Sequence, residues 1–189
     1  SLYGTLSAGV PGTVAGMWQA HKKYGSKPWK ELLAPAILLA VDGFIVPKQL
    51  DNGINWRINS FEKKGIAVNF ASYFSHAKAG QVFKQPVLGE TLRRISSEGK
   101  DGFYQGKTAQ IISDFMAKNG GIITKQDLAS YQSTWRKPIQ KKWRKFDIIT
   151  APPPSSGGIA VLQWLTMYDL VKKELDLAHN STAYIHLLF

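Results

Sequence analysis

Two serines and two glycines, Ser155-Ser156-Gly157-Gly158, follow three consecutive prolines and open a long apolar run. A hydroxyl-rich turn at a helix start can do two kinds of work. Its serine oxygens can cap the first free amides, and its glycines admit an anion or another backbone. No phosphate-loop lysine follows the glycines, so nucleotide binding is not indicated. The favoured reading is structural: Pro154, Ser155, Ser156, Gly157 and Gly158 form a capped turn that holds the apolar helix, with an anion pocket as the alternative. Pro152, Pro153 and Pro154 fix φ and remove three backbone donors, so the approach is expected to be extended.

Ser1 stands where a residue's own α-amine could serve as base for its hydroxyl, which makes it a candidate nucleophile. A chain boundary is the simpler account and the one favoured. His21, His76, His179 and His186 show no metal-ligand spacing, with each other or with a carboxylate pattern, so neither a metal nor a cofactor is expected. Asp42, Asp51, Asp101, Asp114, Asp127 and Asp147 are scattered, mostly where helix ends would use them as caps. A glycosidase-type carboxylate pair cannot be read from the sequence. The chain has no cysteine, which excludes disulfides, thiolate metal sites and a cysteine nucleophile.

Charge is lopsided: 24 Lys and Arg against 13 Asp and Glu give a formal +11. Such a field attracts anions at long range. Arg136, Lys137, Lys141, Lys142, Arg144 and Lys145 crowd one segment, with Trp135, Trp143 and Phe146 between them. That pattern could bind nucleic acid through phosphates and stacked bases. Strand alternation argues instead that the tryptophans face a core and the lysines stay solvated. Asn180-Ser181-Thr182 matches a glycosylation acceptor, but a helix cap is the stronger reading.

These residues need elements to hold them. Thr13 is expected to cap a helix carrying Val14, Trp18 and His21 on one side and closing near Gly25. Ser26 should cap a second, with Pro28 in its first turn, a break or kink at Pro35, and Leu33, Ile37, Ala40 and Val41 as an apolar stripe ending at Gly43. A shorter helix fits Pro47 to Phe61, and 62–83 reads as loop. Leu88, Leu92 and Ile95 mark a helix ending at Gly99; Ala109, Ile112 and Met116 mark another ending at Gly120-Gly121. Thr124 and Asp127 have capping-box spacing. Residues 134–150 read as a β-ribbon, and Gly158 to Val171 as a helix apolar nearly all round, hence buried on several sides. Asn180 or Ser181 starts a last helix that runs uncapped into Leu187-Leu188-Phe189, which suggests a chain that continues or has been cut. No stretch approaches the ~20 apolar residues of a membrane span, and Ser1 opens no signal peptide.

Several strings in order carry a resemblance. They are Gly9-Val10-Pro11-Gly12-Thr13-Val14-Ala15-Gly16, Tyr24-Gly25, Pro28-Trp29-Lys30-Glu31-Leu32, Ala34-Pro35-Ala36 and Asp42-Gly43-Phe44. Lys84-Gln85-Pro86, Gly102-Phe103-Tyr104-Gln105-Gly106, Asn119-Gly120-Gly121-Ile122-Ile123-Thr124, Asp127-Leu128 and Thr150 to Gly158 follow. From about residue 8 onward, and most weakly over 48–82, the chain resembles the large subunit of the gamma-glutamyltransferases. The resemblance implies an amino-terminal-nucleophile hydrolase whose precursor cuts itself, freeing a threonine at the start of the small subunit. That threonine would attack a gamma-glutamyl amide, as in glutathione, with an oxyanion hole and transfer to water or an amine. It lies beyond this chain, as does the carboxylate-binding arginine, which the family places upstream. No catalytic, substrate-binding or metal residue is therefore carried over. The family usually has glycines near Lys141 and Lys145, so the ribbon's turn should differ here.

The resulting expectation is a single domain over 1–189: mainly α with a small β-ribbon, the helical part of an αββα architecture. Its partners would be the small subunit of the same precursor and gamma-glutamyl peptides, its setting periplasmic or secreted, and the chain alone inactive. A basic helical module for anionic partners such as nucleic acid is the alternative, and an inactive paralogue with a purely structural role a third.

Overall fold

A computed structural model describes residues 3–172 and 178–188; Ser1, the candidate nucleophile, and Phe189 lie outside them. The chain forms two compact units, Ser1–Ser133 and Thr134–Phe189.

In the first unit, a 3-10 turn at Thr5–Ser7 leads to α1 (Thr13–Tyr24) and α2 (Trp29–Val41). Thr13 is the first helical residue rather than the cap. Gly12 occupies the cap position, where a Cβ would strike the Tyr131 hydroxyl. Ser26 does not cap α2, which begins after Pro28. Pro35 lies inside α2 without ending it. Proline forfeits one amide bond to the preceding turn, and packing on α5 (Pro86–Glu98) outweighs that loss. Gly89 makes the approach possible, since a Cβ there would meet Val41 Cγ2 at 2.6 Å. The Trp29 indole N–H donates to the Ile95 carbonyl at 2.9 Å, tying the two helices together.

β1 (Phe44–Ile45) pairs antiparallel with β2 (Val82–Phe83), Phe44 opposite Phe83. Between them run α3 (Lys48–Lys63) and α4 (Phe70–Phe74). The stretch 62–83, read as loop, therefore holds a short helix and a strand. Phe70 and Phe74, their rings tilted at 4.7 Å, pack half-buried against the buried cluster of Val46, Ile54, Ala77 and Phe83. Five residues are too few to show a period, but burial of aromatic surface holds them.

α6 (Asp101–Tyr104), α7 (Gly106–Lys118) and α8 (Lys125–Ser130) build a second cluster on Ala15, Tyr104, Ala109, Ile123 and Leu128. Gly99 and Gly120 end their helices at φ +64° and +72°, as the glycine positions predict. Thr124 and Asp127 form the expected capping box. The Asp127 N–H donates to the Thr124 hydroxyl at 3.2 Å and the Thr124 N–H to the Asp127 carboxylate at 2.8 Å. The Thr124 hydroxyl, which donates to the same carboxylate at 2.7 Å, and then the Thr124 N–H hold the Asp127 carboxyl below its usual range.

The second unit contains the expected ribbon, β3 (Ile139–Trp143) and β4 (Phe146–Thr150), antiparallel with Ile139 opposite Thr150. It continues into α9 (Gly157–Val171) and α10 (Thr182–Leu188). The Tyr184 N–H donates to Ser181 Oγ at 3.1 Å, so Ser181 caps α10 as predicted. The ribbon's tryptophans divide: Trp143 is half-buried against Tyr168, whereas Trp135 is 52% exposed, as is Phe146. Contrary to expectation, α9 is not buried on several sides: Ile159, Val161, Met167 and Leu170 are exposed, and Gly158 is its only buried residue.

Mainly helical, with two small antiparallel sheets rather than one ribbon, is the fold of the described residues. None of their helices is long and apolar enough to cross a membrane.

Candidate functional site

The turn that the sequence singles out lies between β4 and α9. It is not an extended approach: Pro153 and Pro154 form a turn through a cis peptide bond, and the Ser155 N–H donates to the Pro152 carbonyl at 3.2 Å. Ser156 takes the N-cap position at φ −79°, ψ −26°, helical rather than extended, and its side chain makes no capping bond. The serine-cap expectation is thereby corrected, because a capping side chain needs extended backbone to reach back to the first amides.

The two glycines differ. A Cβ on Gly158 would collide with the Ala151 carbonyl and lie 2.5 Å from Thr150 Oγ1. A Cβ on Gly157 would meet only Ser155 Oγ, at 3.9 Å. Gly158 thus lets the first turn of α9 sit directly on the end of β4. Of the string, Gly158 is the residue packed closely against neighbouring backbone.

A polar clasp joins ribbon and helix, and the sequence reading missed it. Arg144, at the ribbon's tip, has φ 54°, so the left-handed turn falls on an arginine rather than on Lys141 or Lys145. Its guanidinium lies 4.4 Å from the Trp143 ring centre and 5.4 Å from that of Tyr168. It donates to Asp169 at 3.0 Å, and Lys172 donates to the same carboxylate oxygen at 2.7 Å. Lys172 first, then Arg144, holds the Asp169 carboxyl down at about 2. Lys141 donates to Thr166 Oγ1 at 2.6 Å, and that hydroxyl donates to the Leu162 carbonyl at 2.7 Å. Only the i,i+3 spacing of Asp169 and Lys172 was visible beforehand; their meeting with Arg144 depends on the register of the ribbon. Beside the clasp, Ile139, Ile159, Leu162 and Met167 line an open, mostly apolar groove of about 670 Å³.

The histidines stand apart from one another. His21 packs between Trp18 and Trp29 with Nε2 2.8 Å from the Lys27 carbonyl. His76 lies against Phe83, and His179 against Tyr184. Among the described residues no three His, Asp or Glu side chains gather as metal ligands would.

Comparison with known proteins gives this arrangement a context. The family model described as gamma-glutamyltranspeptidase matches residues 1–189. A glutathione hydrolase proenzyme of Pseudomonas aeruginosa is 45% identical over 189 residues, which are 100% of this chain and 33% of that protein. An acylase ACY 1 proenzyme from a Pseudomonas species is 34% identical, again over 100% of this chain and 34% of its own length. Among solved structures, the gamma-glutamyltranspeptidase from Pseudomonas nitroreducens complexed with L-DON superposes with a TM-score of 0.89 at 43% identity, covering 98% of this chain and 55% of that one. The chain spans about a third of the length of the curated relatives it matches. The chain belongs to the gamma-glutamyltranspeptidase family.

Proposed function

We propose that the chain is part of the large subunit of a gamma-glutamyltransferase or glutathione hydrolase, cut from a precursor whose small subunit begins with the reactive threonine. The observation that carries this reading is the family match over every residue. Coverage supports the cut: the same residues amount to 33% of a relative named proenzyme but 55% of a solved chain. That is the ratio expected if such a proenzyme divides in two.

In this reading the threonine's α-amine takes the proton from its own hydroxyl, which attacks the gamma-glutamyl carbonyl. Backbone donors stabilise the resulting oxyanion, and water or an amine releases the acyl group. None of these groups is assigned to a residue of this chain. Both units are parts of one large-subunit domain here, and they supply helical wall to an αββα core. The turn from Pro154 through Ser155, Ser156 and Gly157 to Gly158 seats α9, whose exposed Val161, Met167 and Leu170 suit coverage by the rest of the precursor. Gamma-glutamyl peptides are the substrate class, no cofactor is required, and the setting is periplasmic or secreted. A basic module for nucleic acid has less behind it. Lys141 and Arg144, central to that idea, are engaged by Thr166 and Asp169.

The test compares the 189-residue chain with the intact precursor on a gamma-glutamyl anilide. The precursor should split into two bands on a denaturing gel and turn the anilide over, and the chain alone should not. Turnover by the chain alone would overturn the assignment, as would a precursor that remains whole. Because one relative is named an acylase, an amide lacking the glutamyl α-amine is assayed alongside. Preference for that amide would move the substrate class.

A further inference from the structure

A cleft of about 290 Å³ lies in the first unit, away from the turn and the clasp. Trp18, Gln19 and Lys22 come from α1, Lys100 precedes α6, and Gln132 and Ser133 follow α8. Its chemistry is one-sided. Lys22 and Lys100 are its two charged lining residues, Lys100 half-buried, and no carboxylate lines the space. The Ser133 hydroxyl donates to Gln19 Oε1 at 2.9 Å, which leaves the Gln19 amide nitrogen as a donor. The neighbouring acid, Asp101, accepts from Gln105 at 3.3 Å.

Some cations elsewhere have a carboxylate partner. Lys78 pairs with Asp51, Lys142 with Asp147, and Lys172 and Arg144 with Asp169. No carboxylate pairs with Lys22 or Lys100 among the described residues. Two like charges facing one concavity repel each other, and an anion between them removes that cost. Trp18 walls the space with an aromatic ring, fixed edge-on against Trp29 at 5.1 Å and stacked on His21 at 6.1 Å. The Lys22 ammonium lies 6.0 Å from its ring centre. The volume is at the small end of ligand pockets, which begin at about 300 Å³.

We propose that this cleft binds a small oxyanion, the carboxylate or phosphate of a ligand no larger than an amino acid, held by Lys22, Lys100 and the Gln19 amide against Trp18. The site does not depend on the function proposed above and lies outside any role in acyl transfer assigned there.

The intact encoded protein is labelled with 5-fluorotryptophan, and the Trp18 resonance is assigned by Trp18→Phe. Inorganic phosphate and glutarate are titrated separately at fixed ionic strength. At least one should move the Trp18 resonance to saturation, and which one does so names the preferred group. K22Q, K100Q and the double variant should weaken that titration by about tenfold or more, as loss of a charge-assisted bond does. K118Q/K125Q, which removes the same charge elsewhere, should leave it unchanged, and the other tryptophan resonances report that each variant is folded. Two outcomes would overturn the proposal: a Trp18 resonance that neither anion shifts, or a shift equal in all variants. A carboxylate bound only in a gamma-glutamyl site would leave Trp18 still, so the two ideas fail separately.

Discussion

Among the described residues, all eleven buried hydrophobics belong to the first unit and none to the second. The contrast runs against composition. α9 is among the most apolar segments of the chain, while the first unit interleaves its core positions with lysines and glutamines. Hydrophobic content alone does not produce a core; apolar faces must find one another. The first unit has two clusters in which helices converge on Leu128 and on Val46. The described residues of the second form one ribbon and two helices, too few layers to enclose α9. It is held by a polar clasp and by backbone contact at Gly158.

That contrast can be broken by substitution. Leu128 is 0% exposed, and Leu128→Ala should cost about 2–5 kcal/mol. Leu170 is 70% exposed, and Leu170→Ala should change the stability of the chain alone by less than about 0.5 kcal/mol. Urea melts followed by far-ultraviolet circular dichroism give both numbers, and comparable losses would mean that α9 carries a core after all. Next in size, Gly158→Ala should destabilise the second unit by roughly 1–3 kcal/mol through overpacking. Gly157→Ala should be neutral or slightly stabilising, because it reduces unfolded-chain freedom without a clash. If the two alanines behave alike, the backbone seat on β4 is not what fixes α9.

A smaller effect lies in the first unit. Thr124→Ala removes one side of the capping box and should cost about 1 kcal/mol, read in the same melts. The smallest is the clasp, whose charged groups lie partly in solvent. The Asp169 carboxyl titrates at about 2 in the folded chain against 3.8 ordinarily. Its contribution is therefore complete above pH ~4 and is lost as pH falls toward 2. Asp169→Asn should flatten that part of the stability profile, and an unchanged profile would mean that the ribbon and α9 need no ionic tie.

What the sequence disclosed follows from the range of each interaction. Helix ends at Gly99 and Gly120, the capping box and the ribbon were legible because the chemistry that makes them lies within a few residues. The sheet between Phe44–Ile45 and Val82–Phe83 was not, since two-residue strands carry no alternation and their partners are distant in sequence. Pro35 misled for a related reason: a local penalty was overruled by the contact of Val41 with Gly89. The serine string was the clearest feature of the chain, yet its hydroxyls do not cap α9. The Lys22–Lys100 cleft was invisible, because segments far apart in sequence meet there.

One phenol has a consequence for anyone trimming this chain. The Tyr104 hydroxyl accepts the Ala15 N–H at 3.2 Å and donates to the Pro11 carbonyl at 2.5 Å, with its ring stacked on Tyr131 at 5.5 Å. Burial pushes the phenol above its ordinary pKa, which favours the protonated, donating form. A shortened version beginning at Gly12 would strand a sheltered hydroxyl with nothing to receive it, at a cost of about 1–3 kcal/mol. Through this oxygen the first eleven residues are tied to the core of the first unit.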